Sequence, residues 1–286
     1  MILQKDIIAV AEKKGLTKST IDKDWALGHF IDAIYSISEL RDCLVFKGGT
    51  CLKKCYFPEY RFSEDLDFTS TKNNFILTKV HLKQICTKVY DQAGILTYPE
   101  SIFPLRFKDQ LTGFEAQVKF WGADHPKNIP PPDPSRWSTR IKIEVILYEL
   151  IVFCAENRPI LHHYPDKLSS FSETVQCYSL QEIMAEKIRA LIQRSYSAPR
   201  DFYDIWYLAN NIRDFNYSEI VDAFHKKLQF KQYTFKGVDQ LLRPEAERSL
   251  RLAWKSSLAY QIPMHDFPSF DVVKEFLQKL FVKMFQ

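Results

Sequence analysis

The sequence has no long hydrophobic run, no Cys-x-x-Cys pair, no internal repeat and no low-complexity tract. Its apolar stretches fall short of the roughly 18 residues that a membrane-spanning helix needs, and Lys5 and Asp6 interrupt the first of them. We therefore expect neither a signal peptide nor a membrane span. The six cysteines are typical of reduced thiols in a cytoplasmic protein. Cys51 and Cys55 lie one helical turn apart without a nearby histidine, which argues against zinc.

The sequence also lacks a strong excess of charge. It has 39 basic and 35 acidic residues in 286, a net charge of +4, which excludes a strongly basic nucleic-acid coat protein. Hydrophobic residues make up 46% and aromatic residues 14% of the chain. This content is enough to bury one large core or two modest ones.

Two adjacent glycines after an apolar run are the first sign of a ligand site. Residues 43–46 are typical of a buried strand, and Gly48 and Gly49 end it abruptly. Because glycine has no Cβ, a ligand can approach the backbone N–H groups closely at this turn. We predict that Thr50 is the N-cap of the following helix, so that backbone donors, a hydroxyl and the positive end of a helix dipole meet where a phosphate can bind. A plain strand-to-helix turn is the alternative interpretation.

Two aspartates follow at a spacing that fits a metal site. On a strand, Asp65 and Asp67 point to the same side, while Leu66 and Phe68 point to the other. Their Cα atoms are then about 7 Å apart, and the carboxylates would repel each other unless a cation lies between them. Hard divalent ions such as Mg²⁺ bind carboxylates together with substrate phosphates. A solvated strand edge is the alternative.

These two segments, read together, resemble a known family. Gly-Gly-Thr, followed by Arg-x-Ser-x-Asp-Leu-Asp from Arg61 to Asp67, resembles the nucleotidyltransferase superfamily, and specifically the AbiEii-type toxins of bacterial type IV toxin–antitoxin systems, which include the MenT toxins. Two further motifs of that subfamily match Lys187 on a helix and the Asp-x-x-Asp of Asp201 and Asp204. The four motifs occur in the family's order, over roughly residues 20 to 210.

The resemblance implies a set of site residues, which we group by expected role. The expected metal ligands are Asp65 and Asp67, and the expected catalytic residues are Asp65, Asp67, Lys187 and Asp204. Arg200 and Asp201 are expected to support them. The expected nucleotide-binding residues are Gly48, Gly49, Thr50, Lys53, Arg61 and Ser63.

A further carboxylate candidate comes from the strand pattern of residues 139–147. Ile141, Ile143 and Val145 alternate as a core face, so Lys142 and Glu144 share the opposite face. Glu144 could complete the metal site or act as a general base. A salt bridge from Glu144 to Lys142 or to the neighbouring arginine is an equally good interpretation.

The third and fourth motifs also have a helical pattern of their own. Lys187 flanks the apolar stripe of a helix that begins near residue 180, where a surface lysine with a partly buried stem is the alternative to a catalytic one. Asp201 and Asp204 lie three positions apart, on nearly the same face of the next helix. Asp201 can also be explained as a favourable residue in a helix's first turn.

The implied activity is transfer of a nucleoside monophosphate from a nucleoside triphosphate to an acceptor hydroxyl, with release of pyrophosphate. Mg²⁺ or Mn²⁺ is the implied cofactor, RNA (tRNA) the expected acceptor and an antitoxin the expected partner. Two other functions stay open: nucleotidyl transfer to a protein or small molecule, and a non-catalytic protein that binds nucleotide or RNA. A basic, aromatic stretch between His225 and Lys255 is a candidate RNA contact, with a solvated helical face as the alternative.

The pattern of apolar residues indicates an α+β fold, and the resemblance implies a nucleotidyltransferase-like mixed β-sheet domain flanked by helices. We expect this catalytic domain over residues 1–175 and a mainly helical domain over 176–286 that completes the active-site cleft. A proline-rich loop is predicted at 129–134. The predicted elements are helices at 17–40 and 75–93 and strands near 44–47, 65–69, 115–121 and 139–147.

Overall fold

The computed structural model describes residues 2–169, 174–194 and 198–286. They divide into two compact units. The first comprises Met1–Glu149 and Ala155–Cys177, and the second comprises Leu150–Cys154 and Tyr178–Gln286. Within the described ranges, no helix combines the length and the hydropathy that crossing a bilayer would require.

The first unit is a seven-stranded mixed sheet with flanking helices, which confirms the predicted fold class. The strand order is β3-β4-β5-β2-β1-β7-β6. The strands are β1 (Leu44–Lys47), β2 (Asp65–Ser70), β3 (Leu96–Phe107), β4 (Gln110–Trp121), β5 (Arg140–Ile146), β6 (Glu156–Arg158) and β7 (Val175–Cys177). The helices are α1 (Gln4–Lys14), α2 (Lys18–Tyr35), α3 (Ser38–Arg41), α4 (Gly48–Cys51), which continues as a π-helical segment over Leu52–Tyr56, and α5 (Lys79–Ala93).

Three strands at the centre of this sheet determine where the motifs lie. β1 pairs antiparallel with β2, and β2 pairs parallel with β5. The apolar side chains of these strands are buried on one face, where Phe46, Leu66 and Phe68 are fully enclosed. Alternation then directs the polar side chains of β2 and β5 to the opposite face.

The predicted helices are correct in type, but their limits differ. The helix predicted at 17–40 ends at Tyr35, and the short α3 follows it. Its start is fixed by Thr17, whose Oγ1 accepts a hydrogen bond from the Thr20 amide at 3.1 Å. The helix predicted from residue 75 begins at Lys79, because Thr78 caps it in the same way.

The sequence pattern did not predict β3. This strand forms the edge of the sheet and contains Pro99 and Pro104, which remove backbone donors. An edge position tolerates prolines because one side of the strand has no partner to lose. Pairing with β3 also extends β4, which begins at Gln110 and not near residue 115 as predicted. The predicted loop at 129–134 is confirmed up to Asp133, after which Pro134–Arg136 form a 3-10 turn.

The second unit is helical. Its helices are α6 (Leu180–Gln193), α7 (Pro199–Asn211), α8 (Tyr217–Phe230), α9 (Asp239–Leu242), α10 (Glu247–Leu258) and α11 (Phe270–Phe285). A buried carboxylate explains why Leu150–Cys154 groups with them: Glu182 Oε2 accepts hydrogen bonds from the amides of Val152 and Phe153 at 2.9 and 2.8 Å. Lys227 Nζ lies 2.5 Å from the other oxygen of Glu182 and donates to the Leu150 carbonyl.

Candidate active site

The turn after β1 has the conformation that its glycines predict. Gly48 has a φ of +80°, in the left-handed region that favours glycine. The N-cap position is Lys47, however, and α4 begins at Gly48. The prediction that Thr50 is the N-cap is therefore wrong. Thr50 lies inside the helix, and its hydroxyl donates to the Asp65 carbonyl at 2.5 Å, which ties the turn to the start of β2.

Both glycines are packed against the second motif. A Cβ on Gly48 would collide with the Asp67 carboxylate, and a Cβ on Gly49 would lie 2.9 Å from the Arg61 guanidinium and 3.0 Å from Ser63 Oγ. Arg61 is buried, and Ser63 is half-buried. The two motifs thus meet at one point, where only residues without a side chain leave room for Asp67, Arg61 and Ser63.

Replacement of Gly48 by alanine should disrupt this point. We expect Gly48→Ala to lower the free energy of unfolding by about 1–2 kcal/mol, because of the positive φ. We also expect it to reduce any activity that depends on Asp67 by about 100-fold, because the new Cβ displaces that carboxylate. Gly15→Ala is the matched control: Gly15 has a φ of +64°, and a Cβ there would meet nothing within 4 Å, so this variant should lose stability alone. Equal loss of activity in both variants, measured at a temperature where both are folded, would contradict this.

A row of charged side chains crosses the sheet on its polar face. In the parallel pairing of β2 with β5, Asp65 lies opposite Lys142, and Asp67 lies opposite Glu144. Lys142 Nζ is 3.3 Å from Glu144 Oε2. The two interpretations of Glu144 are therefore compatible, since it lies beside Asp67 and also forms the salt bridge.

The row contains three carboxylates, Asp65, Asp67 and Glu144, and one lysine, Lys142, so its negative charge is in excess. Burial, together with the neighbouring Glu144 and Asp65, raises the pKa of Asp67 from 3.8 to about 6. Burial disfavours the charged form of Lys142, but the three carboxylates outweigh that effect and raise its pKa. A cation bound between the carboxylates would offset both the burial of the Asp67 charge and its repulsion from Glu144 and Asp65.

The raised pKa of Asp67 predicts a pH-dependent response to metal. Because its pKa is higher in the folded protein than in the unfolded chain, ionisation of Asp67 destabilises the fold as the pH rises from about 4 to 6. At pH 7.5, 10 mM Mg²⁺ should therefore raise the melting temperature by about 3 °C, and at pH 5 by clearly less. Calorimetry with and without Mg²⁺ tests this, with Asp67→Asn as the variant that should lose the difference. An equal rise at both pH values would count against a metal at Asp67.

The carboxylate row has the chemistry of a hard-metal site. Asp65, Asp67 and Glu144 offer only oxygen donors, the type that Mg²⁺ and Mn²⁺ prefer. Among the described residues, two other groups of potential ligands are more compact, with all ligand atoms within 4.8 Å of one another. The oxygens of Asp65, Asp67 and Glu144 are more widely spread than that.

The two tighter groups differ in chemistry from the carboxylate row. One comprises the buried thiols of Cys51, Cys55 and Cys177, a soft donor set. Spacing along the chain pointed only to the first two, because Cys177 lies far away in sequence on β7. The other group comprises His29, His162 and Asp166, in which each ring Nε2 lies 3.1 Å from the carboxylate.

A second cluster of predicted residues lies within the second unit. Lys187 Nζ contacts Asp201 Oδ1 at 2.9 Å and Asp204 Oδ2 at 2.8 Å. Both aspartates are buried, and Arg194 pairs with the second oxygen of Asp201 at 2.9 Å. The three-residue spacing on α7 directs both carboxylates to one lysine on α6, which fixes the position of its ammonium group.

A known protein family matches most of the chain. The family model for the nucleotidyl transferase AbiEii toxin of type IV toxin–antitoxin systems matches residues 29–275. The chain belongs to the AbiEii family. No curated protein matches this AbiEii-family chain.

Two solved structures resemble this AbiEii-family protein. The MenT4 nucleotidyltransferase toxin of Mycobacterium tuberculosis has a TM-score of 0.63 and 18% identity, over 99% of this chain and 90% of MenT4. JHP933 of Helicobacter pylori has a TM-score of 0.51 and 14% identity, over 94% of this chain and 95% of JHP933. At these identities the structures establish a common fold, and the family match establishes the nucleotidyltransferase-toxin class.

Two residues expected to belong to the AbiEii site lie apart from the clusters described above. Lys53 is buried, and its Nζ donates to the carbonyls of Pro58 at 2.6 Å and Tyr60 at 3.0 Å, so its expected contact with nucleotide stays a prediction. Arg200 donates to the Tyr260 hydroxyl and not to the partners of Lys187.

Much of the basic, aromatic stretch has structural partners inside the second unit. Lys227 is fully buried against Glu182, and the Phe235 ring packs on Phe224 at 5.3 Å. Trp254 is buried beside Phe270, and its indole N–H donates to the Pro268 carbonyl. Lys227 on α8 and Trp254 on α10 are buried, so the interpretation of these two residues as RNA contacts is wrong, whereas Phe235 is half-buried in the segment between α8 and α9. Lys226 and Tyr233 remain exposed.

One buried lysine beside the AbiEii motifs is not part of any of them. Lys47 is the last residue of β1, is buried, and lies opposite Asp67 in the antiparallel register. Its positive charge partly offsets the raised pKa of Asp67. The sequence could have indicated this residue, because Lys47 directly precedes Gly48, and a strand residue next to that turn lies near the second motif.

Proposed function

We propose that this AbiEii-family protein transfers a nucleoside monophosphate from a nucleoside triphosphate to a hydroxyl of an RNA acceptor, tRNA in particular, with release of pyrophosphate. The observation that carries the proposal is the packing of Gly48 and Gly49 against Asp67, Arg61 and Ser63. A phosphate-binding turn and a carboxylate strand that converge in this way can hold a triphosphate and its counter-ion together.

We propose that Asp65 and Asp67 hold Mg²⁺ or Mn²⁺, with Glu144 as an additional ligand or as general base. When bound, such an ion would neutralise charge on the triphosphate and orient it. The raised pKa of Asp67 supports this role, because it results from burial and from the neighbouring Glu144 and Asp65, and a bound cation would compensate both effects. Lys142 lies within the row and moderates its excess of negative charge until the cation binds.

The other residues of the first unit would position the substrate. The backbone N–H groups at Gly48 and Gly49 would donate to the β and γ phosphates, while the buried Arg61 and the hydroxyl of Ser63 lie beside Gly49 for further phosphate contacts. The reaction needs little covalent chemistry from the protein, because an acceptor hydroxyl attacks the α-phosphate in line and pyrophosphate leaves. This set of residues suits positioning and charge neutralisation.

We propose that Lys187 stabilises the charge that develops on the leaving pyrophosphate. Its ammonium group is held between Asp201 and Asp204, so little reorganisation is needed during the reaction. Asp204 would be the catalytic partner of Lys187, and Asp201, through its second contact with Arg194, the supporting one. The role of Arg200 would be limited to the packing of Tyr260.

The proposed setting is a toxin of the cytoplasm whose activity a cognate antitoxin restrains. The toxin class follows from the family match. An RNA acceptor is the best candidate because it offers a terminal hydroxyl and exposed bases. A protein or a small-molecule acceptor is the alternative, and the experiment must distinguish it from an RNA acceptor.

The test is incubation of the purified protein with total tRNA and each α-³²P-labelled triphosphate in turn, in Mg²⁺ and in Mn²⁺. We expect label on RNA with one or more triphosphates and none with Asp65→Ala. A parallel reaction with γ-labelled triphosphate distinguishes nucleotidyl transfer from phosphoryl transfer, since the γ-phosphate should appear only in pyrophosphate.

The distribution of label decides the acceptor. Label on protein or on a small molecule, with RNA unlabelled, would select the alternative acceptors. No incorporation with any triphosphate and either metal, while the protein is folded and binds nucleotide, would overturn the proposal in favour of a non-catalytic binding protein.

A further inference from the structure

The first unit contains a cavity of about 320 Å³ that the proposed function does not use. Helix α1, the π-helical segment after α4 and the loop after β6 line it. We call it the lysine cavity. Its charged lining residues are Lys13, Lys14, Lys53, Lys54, Asp24, Glu59 and His163, and its apolar lining includes Val10, Pro58, Phe62, Leu161 and Tyr164. Of the described residues that line it, only Phe62 lies within the second motif, and none belongs to the carboxylate row.

The lining of the lysine cavity carries an excess of positive charge. Four lysines face two carboxylates, which leaves a formal charge of +2 with His163 neutral. Two of the ammonium groups, those of Lys53 and Lys54, belong to side chains that are more than nine-tenths buried. Buried charges of one sign are costly unless an opposite charge compensates them.

The two buried lysines are held in place by protein acceptors and retain donor capacity. Lys54 Nζ donates to Asp24 Oδ2 at 2.6 Å, and Lys53 Nζ donates to two backbone carbonyls. An ammonium group has three N–H donors, so both groups keep at least one more. Burial, reinforced by the charges of Lys54 and Lys14, lowers the pKa of Lys53 to about 8, although Asp24 and Glu59 oppose the shift.

A buried acceptor lies in the same lining. Asp24 is almost fully buried, and no donor among the described residues reaches its Oδ1. Such an acceptor is usually satisfied by a protein group, a water or a ligand donor. A ligand with both an anionic group and a hydroxyl or amino donor would therefore satisfy Lys53, Lys54 and Asp24 together.

We propose that the lysine cavity is a second ligand site, separate from the proposed catalytic residues, and that it binds a phosphate ester of a nucleoside. Lysines are common phosphate ligands, and the apolar wall with Phe62 and Tyr164 can accept a base or sugar. The volume is near the lower limit of small-molecule sites, about 300–1,000 Å³, and fits a ligand of mononucleotide size. The phosphate ester comes either from a free nucleotide or from one nucleotide of an RNA chain.

The experiment measures binding by titration calorimetry in EDTA, in the Asp67→Asn background, so that metal-dependent binding at the carboxylate row is absent. The probes are inorganic phosphate, CMP and AMP, and a 5′-phosphorylated single-stranded RNA decamer. Lys13→Glu changes an exposed lysine of the cavity, and Leu161→Trp fills the cavity with an indole ring. Lys5→Glu is the matched control, since Lys5 is also exposed on α1 and lies outside the lining.

We expect a phosphate-bearing probe to bind, Lys13→Glu to raise its Kd about 10-fold, Leu161→Trp to abolish binding, and Lys5→Glu to leave it unchanged. Circular dichroism must show that each variant is folded. Preference for CMP or AMP over the decamer would assign the free nucleotide as the source, and the reverse preference would assign RNA. The proposal is overturned if no probe binds, or if Lys13→Glu and Lys5→Glu have the same effect. Because the assay contains no metal or turnover, its failure leaves the proposed transfer reaction untouched.

Discussion

Asp67→Asn should reduce nucleotidyl transfer by at least about 1,000-fold without lowering the stability of the protein. Loss of a metal ligand removes several kcal/mol of transition-state stabilisation, and about 1.4 kcal/mol corresponds to each factor of ten in rate. Stability should hold or rise, because asparagine removes a charge that burial and the neighbouring Glu144 and Asp65 disfavour, as the raised pKa of Asp67 indicates. Transfer of α-label to RNA and chemical denaturation, carried out on the same preparations, measure both effects.

Asp109→Asn is the control for this substitution. Asp109 is exposed at the turn between β3 and β4 with a φ of +65°, which asparagine tolerates well. The Asp109→Asn variant should retain the full activity and stability of the wild-type protein. If Asp67→Asn kept more than a tenth of wild-type activity at saturating Mg²⁺, Asp67 would not be a metal ligand in the reaction.

Lys187→Met has the second-largest expected effect, and it should alter both activity and stability. Removal of the ammonium group leaves the buried carboxylates of Asp201 and Asp204 without their common cation. Breaking a buried pair in this way costs about 3–5 kcal/mol of stability. We expect transfer to fall about 100- to 1,000-fold as well, because a positioned charge near the leaving group is lost.

A double variant separates the two effects. In Lys187→Met/Asp204→Asn, the uncompensated charge at Asp204 is gone, so most of the lost stability should return. Activity should stay low, because the positive charge is still missing. Recovery of transfer in the double variant would mean that Lys187 acts only by stabilising the fold. Denaturation midpoints and rates of α-label transfer distinguish the two results.

The parts of the site that depend on short-range patterns could be predicted from the sequence. The alternation of Asp65 and Asp67 with apolar residues places both on one face of β2, and the same rule places Glu144 on that face of β5. Gly48 has the positive φ that its position after an apolar strand indicated. Spacing along a helix brought Asp201 and Asp204 to one side of α7, although only the structure identifies Lys187 as the residue they hold.

The parts of the site that depend on contacts between residues distant in sequence could not be predicted. Thr50 is not an N-cap, because the packing of Gly48 against Asp67, on another strand, determines where α4 begins. Lys53 lies one turn after the glycines in sequence, but it is the carbonyls of Pro58 and Tyr60 that fix its ammonium group. Lys227 fits a basic face by its spacing, yet its partner Glu182 lies on another helix. In each case the residue is positioned by a contact that is close in space but that no sequence pattern identifies.

The parallel pairing of β2 with β5 has a consequence for when the protein becomes active during its synthesis. Parallel neighbours cannot be joined by a tight turn, and here the long hairpin of β3 and β4 is made between them. During synthesis, Asp65 and Asp67 are made with β2. Glu144 and Lys142 are made later, with β5, and Lys187 is made later still, with α6. The proposed metal site is therefore incomplete on a nascent chain until β5 has emerged, and the proposed transfer reaction could begin only after that point.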